Sequence, residues 1–326
     1  VYAVVDDHKN GDYAPYIFKS ENRGRRWTSI SGNLPDRHLL WRVVQDHVKP
    51  GLMFAGSEFG VFFTVNGGDT WTKLKGGAPN IPFRDLAIQT RENDLVGATF
   101  GRSFYVLDDY TALRDVTPDM LESGSVLFPV RKTPWYVPRR DLGCSDNGCQ
   151  ASQGDALWVG KNPEFGATFT YYLADDLQTA KEARRETEKK LEKENEDVRF
   201  PAFDTIVDEQ REDAPAIVFT VRDAAGNIVR HVEAPAKAGF HRVAWDLRYP
   251  DSSPWTDKAG YDYIVFNGPL AAPGDYTVSL STRVNGVLRD TGQQTGIKVK
   301  LMRQNALATA SPEEVAAFNV RLDLSL

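Results

Sequence analysis

Three arginines and three carboxylates hold the chemistry this chain can offer. Arg42 and Arg84 stand at one phase of the sequence, in Trp41-Arg42-Val43-Val44 and Phe83-Arg84-Asp85-Leu86, 42 residues apart, and Arg102 follows in a related segment. Guanidinium groups converging on one funnel would grip a carboxylate or phosphate through paired N–H donors. Glu58, Asp46 and Asp85 lie on or near the same segments. Carboxylates facing each other across a cleft are the equipment of acid–base and glycosidic chemistry. The plainer reading pairs each arginine with a carboxylate of the neighbouring element, so that the charges tie elements together. No two carboxylates stand out by spacing as a catalytic couple. Arg42, Arg84 and Arg102 are therefore expected as ligand-binding residues, with Glu58, Asp46 and Asp85 as the candidates should catalysis occur.

Other reactive groups add little. The five histidines (His8, His38, His47, His231, His241) are dispersed with no i,i+4 pair, which leaves a transition-metal site unsupported. Asp6, Asp7 and Asp12 do not follow the spacing of a calcium loop and read as solvated turn carboxylates. The only cysteines, Cys144 and Cys149, bracket Ser-Asp-Asn-Gly. Two cysteines cannot close a zinc site, and this spacing is not the redox one. A small local disulfide is expected, with free thiols as the alternative, and a disulfide implies an oxidising compartment. No glycine-rich phosphate loop, nucleophile elbow or metalloprotease helix is present, and no cofactor or metal is expected.

The elements that must position these residues follow from composition and periodicity. The 326 residues suffice for two domains, and 41% hydrophobic with 26% charged residues can bury real cores. A net charge of −6 argues against a nucleic-acid surface, and no run of apolar residues is long enough to span a bilayer. The chain opens inside the apolar run Val1–Val5, which reads as mid-strand, so a longer polypeptide is expected. With 26 Gly, 18 Pro and many aromatics, the composition favours strands and turns.

One spacing occurs twice: Ser20-x-Asn22-x-Gly24-x-x-Trp27 and Thr64-x-Asn66-x-Gly68-x-x-Trp71, with the tryptophans 44 residues apart. The hydroxyl and the Asn amide can bond turn backbone, the Gly takes a conformation a Cβ opposes, and the Trp opens the next strand. A fainter echo aligns Ala55–Gly60 with Gly97–Gly101. A period of about 40–45 residues with several short strands marks propeller blades. The expected strands are Val1–Val5, Ile17–Ser20 and Arg26–Ser29 in one blade. Arg42–Val48, Leu52–Ser57, Val61–Thr64 and Thr72–Leu74 form the next, and Asp85–Gln89, Asp94–Thr99 and Ser103–Leu107 a third. A closed propeller takes about four to eight blades, so the remaining ones are expected from the same or another chain.

The repeated motif resembles the Asp-box, or bacterial neuraminidase repeat, of sialidases and sortilin-type propellers, with Asn in place of the usual Asp. The stretch Asp94–Asp109 is similar to the last blade of large secreted sortilin-like bacterial proteins. Those proteins commonly carry His where Phe100 stands, so a role attached to that His is lost here. The resemblance implies a multidomain protein outside the cytoplasm that binds protein or glycan. Sialidase-like and xyloglucan-cleaving relatives imply a rival reading, a glycoside hydrolase with its site in the propeller channel. Photosystem assembly factors of the same propeller type imply a third, an accessory subunit of an envelope complex.

Beyond Asp119 the pattern changes. Strands at Ala167–Leu173, Ala216–Arg222, Asn227–Val232, Gly239–Asp246, Pro273–Leu280, Val284–Leu288 and Gly296–Leu301, joined by turns such as Asn285-Gly286, are expected to form a β-sandwich of immunoglobulin type. The pairing of Gly-Phe-His-Arg-Val-Ala-Trp-Asp with Pro-Gly-Asp-Tyr-Thr-Val resembles the Ig-like domain of flagellar hook-capping proteins. Residues 175–199 read as a charged, solvated helix with a Glu186–Lys190 pair, and Ser311-Pro312-Glu313-Glu314 opens a last helix. The expected fold is all-β. Terminal blades of a propeller span 1–120, a connecting segment with the Cys pair 121–165, an Ig-like sandwich 166–302 with its helical insert, and the start of a C-terminal helix 303–326.

Overall fold

Short apolar alternations broken by Gly and Asn fold the first part of the chain into three successive antiparallel sheets. The computed structural model describes residues 1–138, 162–250, 268–303 and 309–323. Cys144 and Cys149, and with them the expected disulfide, lie outside the described residues. The chain is all-β in class and divides into two units, Val1–Thr117 and Pro118–Leu326.

In the first unit, β1 (Tyr2–Asp7), β2 (Asp12–Lys19) and β3 (Thr28–Ser29) make one sheet. The second is β4 (Leu40–Gln45), β5 (Met53–Ser57), β6 (Gly60–Thr64) and β7 (Thr72–Lys73). The third is β8 (Phe83–Gln89), β9 (Asp94–Thr99) and β10 (Phe104–Leu107). Strands pair with their chain neighbours throughout, the up-and-down order of a propeller blade. A short helix, α1 (Ala112–Asp115), follows.

The repeated motif closes the same turn twice. The Thr64 hydroxyl donates to Asn66 Oδ1 at 2.8 Å and accepts from the Gly68 N–H at 3.1 Å, while Asn66 Oδ1 accepts from the Thr70 N–H at 3.0 Å. Ser20, Gly24, Asn22 and Arg26 repeat the arrangement. Gly68 has φ +104, and a Cβ there would stand 2.8 Å from that of Ile30, so both backbone shape and space require glycine.

The two tryptophans differ. Trp71 is buried among Ile17, Leu34, Leu40, Met53, Ala55 and Phe62. Its indole N–H donates to the Ile30 carbonyl at 2.8 Å, and Asn33 grips its backbone, accepting from the N–H at 2.6 Å and donating to the carbonyl at 3.2 Å. Trp27 is 42% exposed. A second cluster, with Phe54, Val61, Phe83, Leu86 and Leu95, lies between the second and third sheets.

The second unit starts with α2 (Pro118–Glu122), β11 (Ser125–Leu127), β12 (Thr133–Trp135) and β13 (Ala167–Leu173). Helices α3 (Ala180–Lys193) and α4 (Phe203–Arg211) come next, followed by β14 (Ala216–Arg222), β15 (Ile228–Ala234), β16 (Gly239–Trp245), β17 (Gly274–Val284), β18 (Val287–Leu301) and α5 (Pro312–Asp323). Sheets of order β11-β13-β16 and β12-β18-β17-β14-β15 face each other over Phe169, Tyr171, Phe219, Trp245, Val278 and Ile297. Strict alternation of buried and part-exposed residues along β13 supplies one wall. Asn285 and Gly286, at φ 50 and 69, turn β17 into β18 as a two-residue hairpin loop requires.

The single expected helix of the insert is two. Thr179 and Glu182 form a reciprocal capping box on α3, and Pro201 stands before α4. The ion pairs that form run from Arg184 to Glu188 and across to Glu209, at 2.5 and 2.6 Å, rather than from Glu186 to Lys190. The partner on α4 is 25 residues away, beyond any i,i+4 rule.

The buried phenols of this core give a first expectation. Burial pushes Tyr171 and Tyr276 up to about 12, and each donates to a backbone carbonyl, Pro235 and Ala272. Their contribution to stability is complete below the unfolded value of about 10 and declines as pH rises toward about 12. Ultraviolet titration should show Tyr171 and Tyr276 ionising only near the alkaline unfolding of this unit, with the buried Tyr110 of the first unit, also raised, delayed as well. Normal titration of every tyrosine in the folded chain would contradict their burial.

Candidate functional site

Two β-bulges build the site. On β4, Leu40 pairs with Ser57 and Arg42 with Gly56, which leaves Trp41 as the extra residue. On β8, Phe83 pairs with Thr99 and Asp85 with Ala98, which leaves Arg84. A bulge re-aims the residue it releases, and these two meet: the Arg84 guanidinium carbon lies 3.6 Å from the Trp41 ring centroid. Stacking of this kind at a partly exposed site contributes about 0.5–1 kcal/mol.

This register corrects the phase read from sequence. Leu40 corresponds to Phe83, Trp41 to Arg84 and Arg42 to Asp85, so Arg42 and Arg84 are not equivalent. The turn between β5 and β6 supplies the third part of the site. There the Ser57 hydroxyl donates to the Gly60 carbonyl at 2.9 Å and accepts from the Phe59 N–H, and Gly60 takes φ +112. The turn presents Glu58 and Phe59. Glu58 accepts the Trp41 indole N–H at 2.9 Å and stands 3.9 Å from Arg84.

Around this stack a cleft of about 460 Å³ is lined by His8, Tyr13, Arg37, Leu39, Trp41, Glu58, Phe59 and Arg84. Arg37 lies over the Tyr13 ring at 5.6 Å, and His8 meets Trp41 edge-on. Phe100, where the resembling family has His, lies 5.4 Å from Arg84 and is 69% exposed. Aromatic faces beside two guanidinium groups can take a flat or ring-shaped ligand bearing negative charge. Glu58 is the single carboxylate among the lining residues.

Of the residues singled out by sequence, Arg84 and Glu58 line the cleft. Arg42 and Asp85 pair with each other at 3.3 Å and are largely exposed. Arg102 is exposed on the turn into β10 and is not among the lining residues. Asp6, Asp7 and Asp12 are taken up locally, by His8, by Asn10, and by Tyr16 with the Ala14 N–H.

Asp46 is a correction. Its carboxylate is buried and accepts from the Tyr110 hydroxyl at 2.6 Å, from Arg114 Nε and Nη2 at 2.9 and 2.8 Å, and from the Val48 and Lys49 N–H groups. Burial alone would raise its pKa, but the bonds from Arg114, Tyr110 and the two backbone donors outweigh it and hold the group well below the usual carboxylate range. A carboxylate so occupied has no face left for substrate. It anchors α1 to the sheets instead.

Trp41, Tyr13, Arg37 and Phe59 are the site residues that sequence reasoning missed. Their signal is a tertiary one: the β4 bulge turns Trp41 toward the cleft, while Tyr13, Arg37 and Phe59 come from β2, the loop before β4 and the β5–β6 turn and meet it only in the fold.

No protein-family profile matches the chain, and no curated protein does. Among solved structures it is similar to PorZ, a surface component of the type-IX secretion system of Porphyromonas gingivalis. The identity is 12% over 88% of this chain and 25% of that one, with a TM-score of 0.23. It is similar to an ancestral GH74 enzyme at 12% identity, over 85% of this chain and 28% of that one, TM-score 0.23. It is also similar to latent PorU from P. gingivalis at 11% identity, over 88% and 24%, TM-score 0.23. The chain spans about a quarter of the length of each.

Proposed function

We propose that this chain is a non-catalytic, extracytoplasmic binding module whose first unit recognises an acidic glycan in the Trp41–Arg84 cleft. The observation that carries the reading is the pair of matched bulges, which bring an indole and a guanidinium together at a cleft mouth rather than leaving both in regular pairing. A sugar ring suits the aromatic faces of Trp41 and Tyr13, and its carboxylate suits Arg84 and Arg37. Hydrolysis by two carboxylates needs them about 5–9.5 Å apart across the bond. Here Glu58 is engaged by Trp41 and is the single acid among the lining residues, so binding is favoured over cleavage.

Calorimetric titration of the chain with uronic-acid oligosaccharides and with neutral oligosaccharides of equal length tests this. The acidic series should bind, the neutral one much more weakly. Trp41→Ala and Arg84→Ala should each cost at least about tenfold in Kd, or 1.4 kcal/mol. Glu58→Gln keeps an acceptor for the indole N–H and should leave affinity within about threefold. Equal binding of both series, or indifference to Arg84→Ala, would sink the assignment. Release of reducing ends that disappears in Glu58→Gln would replace it with the hydrolase reading.

A further inference from the structure

Among the described residues the third sheet has no counterpart of β7. Sheet two continues from β6 through the Thr64–Trp71 turn to β7, which pairs with Phe62 and Phe63. The pairing partners of Phe62 and Phe63 on β5 correspond by register to those of Tyr105 and Val106 on β9. Among the described residues β10 is paired on one side only. Its Phe104 and Val106 are 68% and 53% exposed, a bare apolar edge.

Beside that edge is an apolar groove of about 230 Å³ lined by Val61, Leu74, Ala78, Phe83, Leu95 and Tyr105, among others. Each of these has a counterpart in the repeat. Val61, Leu74 and Ala78 follow Ile17, Ile30 and Leu34 by 44 residues. Phe83, Leu95 and Tyr105 match Leu40, Met53 and Phe62 by register. Those six counterparts pack around Trp71. The groove is thus the same socket one sheet later, without its indole. It is also continuous with the established interface between sheets two and three, which shares Val61, Phe83 and Leu95.

We infer that this socket and the free edge of β10 together form a docking site for an extended peptide strand carrying a tryptophan, supplied in trans. The strand adds to β10 opposite Tyr105 and Val106, its backbone completing the ladder while the indole fills the groove, as Trp71 does for the preceding interface. One contact is weaker by construction: Gly77 stands where Asn33 grips the Trp71 backbone, so the incoming strand relies on the ladder and the indole.

The chain contains its own probe. A fluorescein-labelled peptide of residues 64–74 is titrated with the full chain and followed by anisotropy, with hydrogen exchange read over residues 104–107. The expected result is saturable binding with slowed exchange in β10. The peptide with Ala in place of tryptophan should bind at least about tenfold more weakly. The protein variant Ala78→Phe, which fills the groove, should lose binding without loss of thermal stability. Equal binding of the two peptides would overturn the inference. So would β10 amides already protected in the free monomer, because another part of the chain would then occupy the site. Protection that grows with protein concentration alone would overturn it in favour of a second copy.

Discussion

Asp46→Ala is expected to destabilise the first unit by about 3–5 kcal/mol, because it removes the counter-charge of the Arg114 guanidinium, which keeps the Asn93 amide oxygen at 2.6 Å, and takes the acceptor from the Tyr110 hydroxyl beside a cavity. Arg114→Met should cost somewhat less, since it leaves behind a carboxylate that can take up a proton. The double variant should fall short of the sum, as coupled partners do. Because the two units need not unfold together, the measurement is hydrogen exchange on peptides within residues 1–117 of the full chain. A loss below about 1 kcal/mol would mean that the carboxylate is not the anchor its five bonds make it.

The same group sets the acid limit of the unit. Its folded pKa lies below the unfolded value of about 3.9, so its stabilisation is complete above that value and disappears as pH falls through the folded one. Acid unfolding of the first unit should therefore become shallower in an Asp46→Asn variant, which has no proton to gain.

The second large effect separates two tryptophans that the sequence presents as twins. Trp71→Ala should cost about 3–5 kcal/mol through lost burial and the cavity left among Ile17, Leu40 and Met53. Trp71→Phe keeps most of the ring but strands the Ile30 carbonyl, at a cost of about 1–3 kcal/mol. Trp27→Ala, at a site 42% exposed, should cost about 1 kcal/mol or less. Denaturant midpoints read through exchange of β3 and β5 amides distinguish the three. Equal costs for the two alanine variants would show that the motif stabilises through its turn and not through its indole.

What was legible in the sequence was local. The Ser/Thr-Asn-Gly-Trp turns lie within eight residues, and their bonds join groups two to four positions apart, so spacing alone carries them. Strand alternation gave the meanders for the same reason. Strand ends slipped where a bulge intervened, and with them the phase of Arg42 and Arg84. Asp46 looked like a free acid because its partners, Tyr110 and Arg114, stand 64 and 68 residues away. Helix α4 escaped because its polar, short sequence is steadied by Arg184 across the helical pair rather than by its own pattern.

One pairing in the second unit has a temporal consequence. Strand β12 pairs in parallel with β18, Thr133 beside Val299, and the Leu127 N–H donates to Gln293 across 166 residues. Each sheet of the first unit pairs strands that are neighbours in the chain and can form soon after its last strand leaves the ribosome. The sandwich must hold β12 open until β18 has been made, although β11 can pair earlier with β13. Contacts so distant in sequence are slow to form because loop closure precedes any gain from them. Newly made chains thus carry the paired sheets of the first unit ahead of an unclosed sandwich, and it is during that interval that the second unit is open to proteases and chaperones.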